Sequence, residues 1–456
     1  MEAAPEIGKG YGVVQLRAAD VSVVLDCRGP GLPDVLYWGA DLGELDRAQL
    51  EVVALTSAPP PTSNSLDVLS RVGLLPEHAA GWAGLPGVRG HRSGTDWSPL
   101  FMLSAVDLGP PGTAGGSLTI HGADSAAALA LSIEIELTPS GLLRLRAAVR
   151  NEHATTRYEL DGLVLALPVP TEATELLDLT GRHCRERVPQ RRPFGTGALV
   201  RDNRRGRTGT DATLIMAAGT SGFGFRSGEV WGLHVAWSGN HRTYAERLPT
   251  GMAVLGGGEL LLPGEIALEP GEQYVGPWLY ASYGRGLDAL SARFHGYLRS
   301  RPSHPGNDRP RPVILNTWEA VYFDHDVDRL RTLADLAAEV GVERFVLDDG
   351  WFRNRRSDSS GLGDWYVDEK VWPDGLHPLV DHVRSLDMEY GLWVEPEMIS
   401  PDSDLARAHP EWMLATGGGN HCWPVSNRYS ISATRRPMRT SSNGSWRCWT
   451  STRSAT

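Results

Sequence analysis

The sequence predicts a multidomain β plus α/β protein, a large β-sandwich followed by parallel βα units. Three observations carry this. Residues 1–282 alternate apolar and polar side chains in short runs punctuated by Gly and Pro, the pattern of half-buried strands. From about residue 312 the pattern switches to strand–helix–strand alternation, which argues for a parallel sheet. The length of 456 residues suits two or three domains at roughly 100–200 residues each.

Taken in order, the clearest early element is a hairpin: Leu131 to Leu137, a turn at Thr138-Pro-Ser-Gly141, then Leu142 to Val149. Ile133, Ile135 and Leu137 share one face, and Leu143, Leu145, Ala147 and Val149 the matching one. Trp237-Ser-Gly-Asn-His241 reads as a turn, with a binding loop as the alternative. Leu287, Leu290, Phe294, Tyr297 and Leu298 have helical spacing, and Arg301 to Arg311, rich in Pro, Gly and Arg, reads as a linker, so residues 283–311 form a helix and linker. Val313 to Leu315, Phe345 to Leu347 and Tyr390 to Val394 read as strands. Leu330, Leu333, Leu336, Ala337 and Val340 mark one intervening helix, and Leu376 to Leu386 the other.

Composition narrows the function classes. Net charge is −11, against a nucleic-acid partner. No stretch near ~18 uncharged apolar residues exists, against a membrane span. The opening residues carry acids and no apolar core, so a cytoplasmic location is expected. Cys27, Cys184, Cys422 and Cys448 are scattered and match no zinc or redox spacing, consistent with free thiols. Arginine supplies all but two of the 44 basic residues, the exceptions being Lys9 and Lys370, a bias typical of GC-rich coding.

The chemistry-bearing residues cluster where strands end. The first βα strand runs into Asn316-Thr-Trp-Glu319, the second into Asp348-Asp-Gly-Trp351 and the third into Trp393-Val-Glu-Pro-Glu397. Active sites of (β/α) barrels form at that face. An ionised Asp only accepts hydrogen bonds, so it can hold two sugar hydroxyls at once. Consecutive strand residues point to opposite faces, so Asp348 and Asp349 reach one ligand only if the strand has already turned, which Gly350 permits. The alternative for this pair is a helix cap or a local salt bridge. Glu395 and Glu397 join Trp393 on one face only if the strand continues through Pro396, where a turn is expected. No histidine cluster accompanies the acids, so a metal is not expected.

Asn316-Thr-Trp-Glu-Ala320, with Tyr322-Phe323 after it, resembles the first-strand motif of family-36 glycoside hydrolases, chiefly α-galactosidases. Asp348-Asp-Gly-Trp-Phe352, with Asp358, Gly361 and Leu362-Gly-Asp-Trp365, is similar to that family's long signature. Trp372-Pro-Asp-Gly-Leu376, Gly391-Leu-Trp-Val-Glu-Pro-Glu-Met398 and His409-Pro-Glu-Trp412 continue it, so the match runs nearly without gaps from about 312 to 414. The resemblance implies an N-terminal β-supersandwich over 1–282 and, over 312–416, the first three βα units of an incomplete (β/α)8 TIM barrel. It implies that Asp348 and Asp349 bind the galactose 4- and 6-hydroxyls, that Trp318 and Trp393 line the pocket, and that Asp364 and Trp365 sit at its rim. It further implies retaining hydrolysis of terminal α-galactosides of the melibiose or raffinose type by two carboxylic acids, without a cofactor, in a parent protein that forms homo-oligomers. Within the family, an α-galactosyl transferase or an α-N-acetylgalactosaminidase is the alternative; outside it, a non-catalytic galactoside-binding or inert fragment.

One departure is large. The family's nucleophile belongs to a Lys-Trp-Asp motif on the fourth strand and its acid/base to the sixth, after an Arg-Asn-Gln segment. This chain has none of these motifs and no Asp beyond Asp404, so no catalytic residue is assigned. Residues 417–456 lose apolar periodicity, carry six Arg without an acid, and are expected to be an aberrant, disordered tail. Read one nucleotide earlier with GC-rich codons, Tyr429 to Met438 becomes Val-Leu-Asp-Leu-Gly-His-Pro-Glu-Ala-Tyr, which restores acids and helical period. That is the signature of a frameshift after about residue 417. A full barrel takes about 250 residues, whereas 145 run from Pro312 to Thr456.

Overall fold

The computed structural model describes residues 11–58, 63, 71–110, 115–304, 306 and 308–413, and the backbone of 429–430. It divides into two compact units, Met1–His304 and Pro305–Thr456.

The first unit is built of antiparallel strands. Its longest sheet runs, in spatial order, through Arg185–Pro193, Glu175–Arg182, Ile215–Gly219, Glu229–Ala236, Trp278–Arg285, Leu143–Asn151, Leu129–Leu137, Gly116–Asp124 and Met102–Leu108. A four-stranded sheet holds Leu165–Val169, Ala253–Glu259, His241–Arg247 and Gly197–Asn203. Inward side chains of these sheets, among them Leu145, Leu167, Leu233 and Leu255, share one core. The expected hairpin pairs Leu137 with Leu143, Ile135 with Leu145 and Ile133 with Ala147, all buried. Gly141 at φ +74° makes its turn. A slip of one residue would turn that whole apolar row outward. The opposite face pairs Arg146 with Glu134 and Arg144 with Glu136.

One expectation changes here. The unit is not all β: Arg47–Thr56 is a helix, opened by a reciprocal capping box between Asp46 and Gln49 that the sequence already spelled. The helix expected after residue 282 forms as Leu287–Ser300. Leu290 packs with Ala217 and Val230 of the long sheet and with Phe223 of the turn between their strands, so the β unit continues past residue 282.

The second unit holds a three-stranded parallel sheet, in order Ile314–Asn316, Arg344–Leu347 and Glu389–Leu392. The helix Val327–Glu339, capped by the Asp326 carboxylate on the Arg329 N–H (2.8 Å), follows the first strand; His377–Ser385 precedes the third. Leu330, Ala334, Ala337, Leu379 and Val383 pack against Phe345 and Leu347 of the middle strand. Leu336 and Val340, expected on the buried stripe, are instead 54% and 80% exposed. They lie one helical row aside, where no described element covers them. The tail lies outside the described residues except at Tyr429–Ser430, which pairs antiparallel with Met398–Ile399.

Candidate active site

The site is assembled where the three parallel strands end. The first ends at Asn316, and Thr317 then tucks in fully buried, its N–H donating to the Val346 carbonyl (3.0 Å). This turn aims Trp318 outward, with its indole edge-on to Tyr322 and Phe323 (5.1 and 5.2 Å between ring centres). The second strand ends at Leu347, so Asp348 and Asp349 lie beyond the pleat, as the shared-ligand argument requires. Gly350 at φ +110° completes the turn, and a Cβ there would meet the His325 and Phe323 rings at 3.2 Å. The third strand ends at Leu392. The Trp393 N–H still donates to the Leu347 carbonyl (2.9 Å), and the Trp351 indole N–H donates to the Trp393 carbonyl (2.9 Å), tying two strand ends together.

These elements surround an open cleft of about 590 Å³ lined by Asn316, Trp318, Glu319, Asp348, Asp349, Asp358, Trp393 and Glu395. Four of the six expected residues, Trp318, Asp348, Asp349 and Trp393, meet there. The turn at Pro396 puts Glu395 on the cleft and leaves Glu397 exposed outside it. Sequence reasoning does not single out Asn316, Glu319, Asp358 or Glu395 as ligands, although their place at or just past the strand ends is the available signal.

The two aspartates differ. Asp348 accepts from the Asn316 side-chain amide and from the Asp349 N–H (2.7 Å), while its own N–H donates to Thr317 Oγ1 (3.1 Å). Asp349 is held by Arg355, whose Nε and Nη2 reach its two oxygens at 2.8 and 2.6 Å. Arg355 is fully buried; its Nη1 donates to the Ser360 carbonyl (2.7 Å), and its guanidinium lies 5.5 Å from the Phe323 ring centre. The local salt bridge weighed as an alternative thus exists at Asp349, alongside its place on the cleft. Nothing in the spacing marks Arg355.

Asp364 and Trp365, expected at the rim, are not among the residues that line the cleft. The Asp364 carboxylate accepts from the Asp404 and Leu405 N–H groups (3.1 and 3.2 Å), helping to cap the short helix Asp404–Ala408. Trp365 packs against Phe352 and Trp393 (4.5 and 6.2 Å), supporting the Trp393 ring. Among the described residues no group of three or more His, Cys, Asp or Glu is arranged to hold a metal. Chemically, the cleft offers acceptor-only carboxylates beside flat indole faces, a combination that suits hydroxyl-rich, apolar-faced sugars.

Comparison with known proteins agrees with this chemistry. Residues 31–269 match the model of the glycosyl hydrolase family 36 N-terminal domain, and residues 273–435 match that of melibiase. The alpha-galactosidase of Escherichia coli is 40% identical over 389 residues, which cover 84% of this chain and 53% of that protein. Alpha-galactosidase AgaA of Geobacillus stearothermophilus is 37% identical over 257 residues, 56% of this chain and 35% of that one. A variant of AgaA solved in complex with raffinose superposes with a TM-score of 0.81 at 27% identity, over 92% of this chain and 61% of that one. Another, solved with stachyose, gives 0.80 at 28% identity over the same shares. The chain spans about half the length of its Escherichia coli relative.

Proposed function

The chain belongs to glycosyl hydrolase family 36, and from that premise we propose that it carries the sugar-recognition part of an α-galactosidase acting on terminal α-galactosides of the melibiose or raffinose type. The observation that carries this reading is the convergence of Asp348, Asp349, Trp318 and Trp393 on one cleft at the strand ends. Asp348 and Asp349 take galactose hydroxyls; the axial 4-hydroxyl distinguishes galactose from glucose, so their placement sets the sugar. Trp318 and Trp393 present apolar faces to the ring. The raffinose- and stachyose-bound relatives support this substrate class. The reading places the parent protein in the cytoplasm as a homo-oligomer.

Hydrolysis with retention needs a carboxylate nucleophile and a separate acid/base. Two described carboxylates, Glu319 and Glu395, line the cleft besides the aspartates, and the sequence has no Asp past Asp404. We assign both catalytic roles to residues this chain does not encode in its present frame. The 456-residue chain should therefore show no turnover of p-nitrophenyl α-galactoside above background, and a version with the alternate frame restored after about residue 417 should show it. Turnover by the pure 456-residue chain would overturn this and direct attention to Glu395. An uninterrupted reading frame on resequencing codons 417–427 would remove the frameshift explanation.

A further inference from the structure

The β unit contains a second cleft, of about 690 Å³, that the galactoside reading does not use. It lies between the tip of the hairpin Glu175–Arg182/Arg185–Pro193 and the loop running from Asn203 toward Ile215. Arg182, His183 and Arg187 reach it from the hairpin, Arg205 and Arg207 from the loop, and His234 from the sheet behind. Glu186 is the one acidic side chain in its wall, and it accepts from the Cys184 N–H (2.7 Å) at the hairpin tip.

Charge is concentrated here against the trend of the chain. Nine arginines and two acids lie between Arg182 and Arg207, in a protein of net charge −11. Five of the nine are neutralised locally: Arg191 by Glu175, Arg192 and Arg201 by the buried Asp178, Arg204 by Asp202 and Arg205 by Asp211. Among the described residues, Arg182, Arg185, Arg187 and Arg207 have no carboxylate in ion-pair contact, and three of these four line the cleft. A register irregularity between Thr180 and Arg182 re-aims the hairpin tip, and Arg187 is held at φ +53°. Cations gathered in a concave, partly apolar-walled cleft repel one another and focus a positive potential that an anion relieves.

We propose that this cleft binds a phosphorylated small molecule, a mono- or diphosphate ester of sugar or nucleoside size. Guanidinium forks match phosphate oxygens bidentately, and they enter from two separate chain segments, as clamping a phosphate group requires. The volume is that of an organic ligand pocket, larger than one phosphate ion fills. The remaining wall suits the ester's neutral part. Thr208 and Thr210 supply hydroxyls, Leu179 and Ile215 an apolar floor, and burial holds His234 below the usual histidine range, as a neutral donor and acceptor. A nucleic acid would call for an open basic stripe instead of this concave site.

The test uses the full chain at constant ionic strength, because chloride screens the same charges. Inorganic phosphate, a hexose 6-phosphate, a nucleoside diphosphate and the free hexose are titrated calorimetrically. One ester should saturate a single site at least ten-fold more tightly than inorganic phosphate, and the free hexose should not displace it; the tighter ester identifies the source. The double variant Arg187→Glu/Arg207→Glu should weaken that binding at least a hundred-fold. Arg187→Lys/Arg207→Lys should retain part of it, with an unchanged melting temperature in chloride showing that both variants fold. Absence of saturable binding to either ester overturns the proposal. So does binding that survives the charge reversal, or a reversal that alters only the sedimentation coefficient, which would make the cleft a contact between protein copies.

Discussion

The two units bury their strands in different ways. In the β unit, Leu129–Leu137 and Leu143–Asn151 alternate buried and half-buried residues along nearly their whole length, because each lies between paired neighbours in the long sheet. In the βα unit the middle strand does the same, burying Phe345 and Leu347, but the outer strands do not. Val313 and Ile314 are 57% and 52% exposed beside the first strand's start, and Leu392 and Val394 are exposed at the third strand's end. Leu336 and Val340 add an uncovered row on a helix. An antiparallel sandwich closes its core with hairpin neighbours; a barrel strand relies on its next βα unit, so the same local alternation yields a buried strand in one and an open edge in the other.

Limited proteolysis should turn this contrast into an all-or-none result. The β unit of the 456-residue chain should survive as a fragment ending between Arg301 and Pro312, beyond the packed helix Leu287–Ser300, while residues 312–413 are degraded. A resistant 312–456 fragment would break the comparison, and with it the frameshift explanation of the tail.

Legibility in the sequence followed the same division. The hairpin at Thr138–Gly141 was readable to within two residues because turn chemistry and a period of two coincide there. The three parallel strands were placed to within two residues, since short apolar runs between helices admit few alternatives. The helix Arg47–Thr56 was missed although Asp46 and Gln49 spelled its cap, because a β-rich background hid one short helix. In the site, strand-end position singled out Asp348 and Asp349, and the family resemblance added Trp318 and Trp393, which line the same cleft. The resemblance also put Asp364 and Trp365 at the rim; their contacts, to a helix N-terminus and to the Phe352 and Trp393 rings, could not be read from spacing. Arg355 was invisible because an arginine six residues beyond Asp349 looks the same whether buried or solvated.

Arg355 provides the next test. Removing one partner of a buried ion pair costs about 3–5 kcal/mol, so Arg355→Gln should destabilise the βα unit selectively. Hydrogen exchange should accelerate by about two to four orders of magnitude at the amides of Arg344–Leu347, while those of Leu129–Leu137 stay protected. Equal acceleration in both would show that the units unfold together.

The units also carry buried groups that respond to pH in opposite senses. In the β unit, burial, reinforced by the Asp124 charge, pushes the Glu77 carboxyl up to about 7 against the pull of the Phe101 N–H. Its stabilising contribution is full below about pH 4.5 and is lost as pH rises toward 7. In the βα unit, burial, with the Arg356 charge, holds His325 down to about 4. Its contribution is full above about pH 6.5 and is lost as pH falls toward 4. Each tenfold change in proton affinity corresponds to about 1.4 kcal/mol, so each effect is on the order of 2–3 kcal/mol after allowance for the partial exposure of Glu77. Glu77→Gln should therefore gain stability over the parent at pH 8 and none at pH 4, whereas His325→Phe should gain between pH 7.5 and 4. Parallel denaturant titrations monitored by exchange in each unit would check both; matching slopes in variant and parent would remove the group in question.

The smallest effect concerns recognition itself, in the frame-restored protein. Asp348 meets donors at both oxygens, the Asn316 amide on one and the Asp349 N–H on the other, and each oxygen keeps a lone pair for the cleft. Asp348→Asn preserves shape but replaces one acceptor by an NH₂ group, so a sugar hydroxyl loses its charge-assisted partner and one internal donor faces another. A hydrogen bond to a charged group contributes roughly 1.5–3 kcal/mol, so kcat/KM toward raffinose should fall about 10- to 150-fold. Exchange protection in the β unit should be untouched, since the lost contacts all lie at the strand ends of the second unit. If kcat/KM holds while the βα unit loosens, Asp348 is a scaffold residue like Asp364, and sugar discrimination must rest on Asp349 as Arg355 presents it.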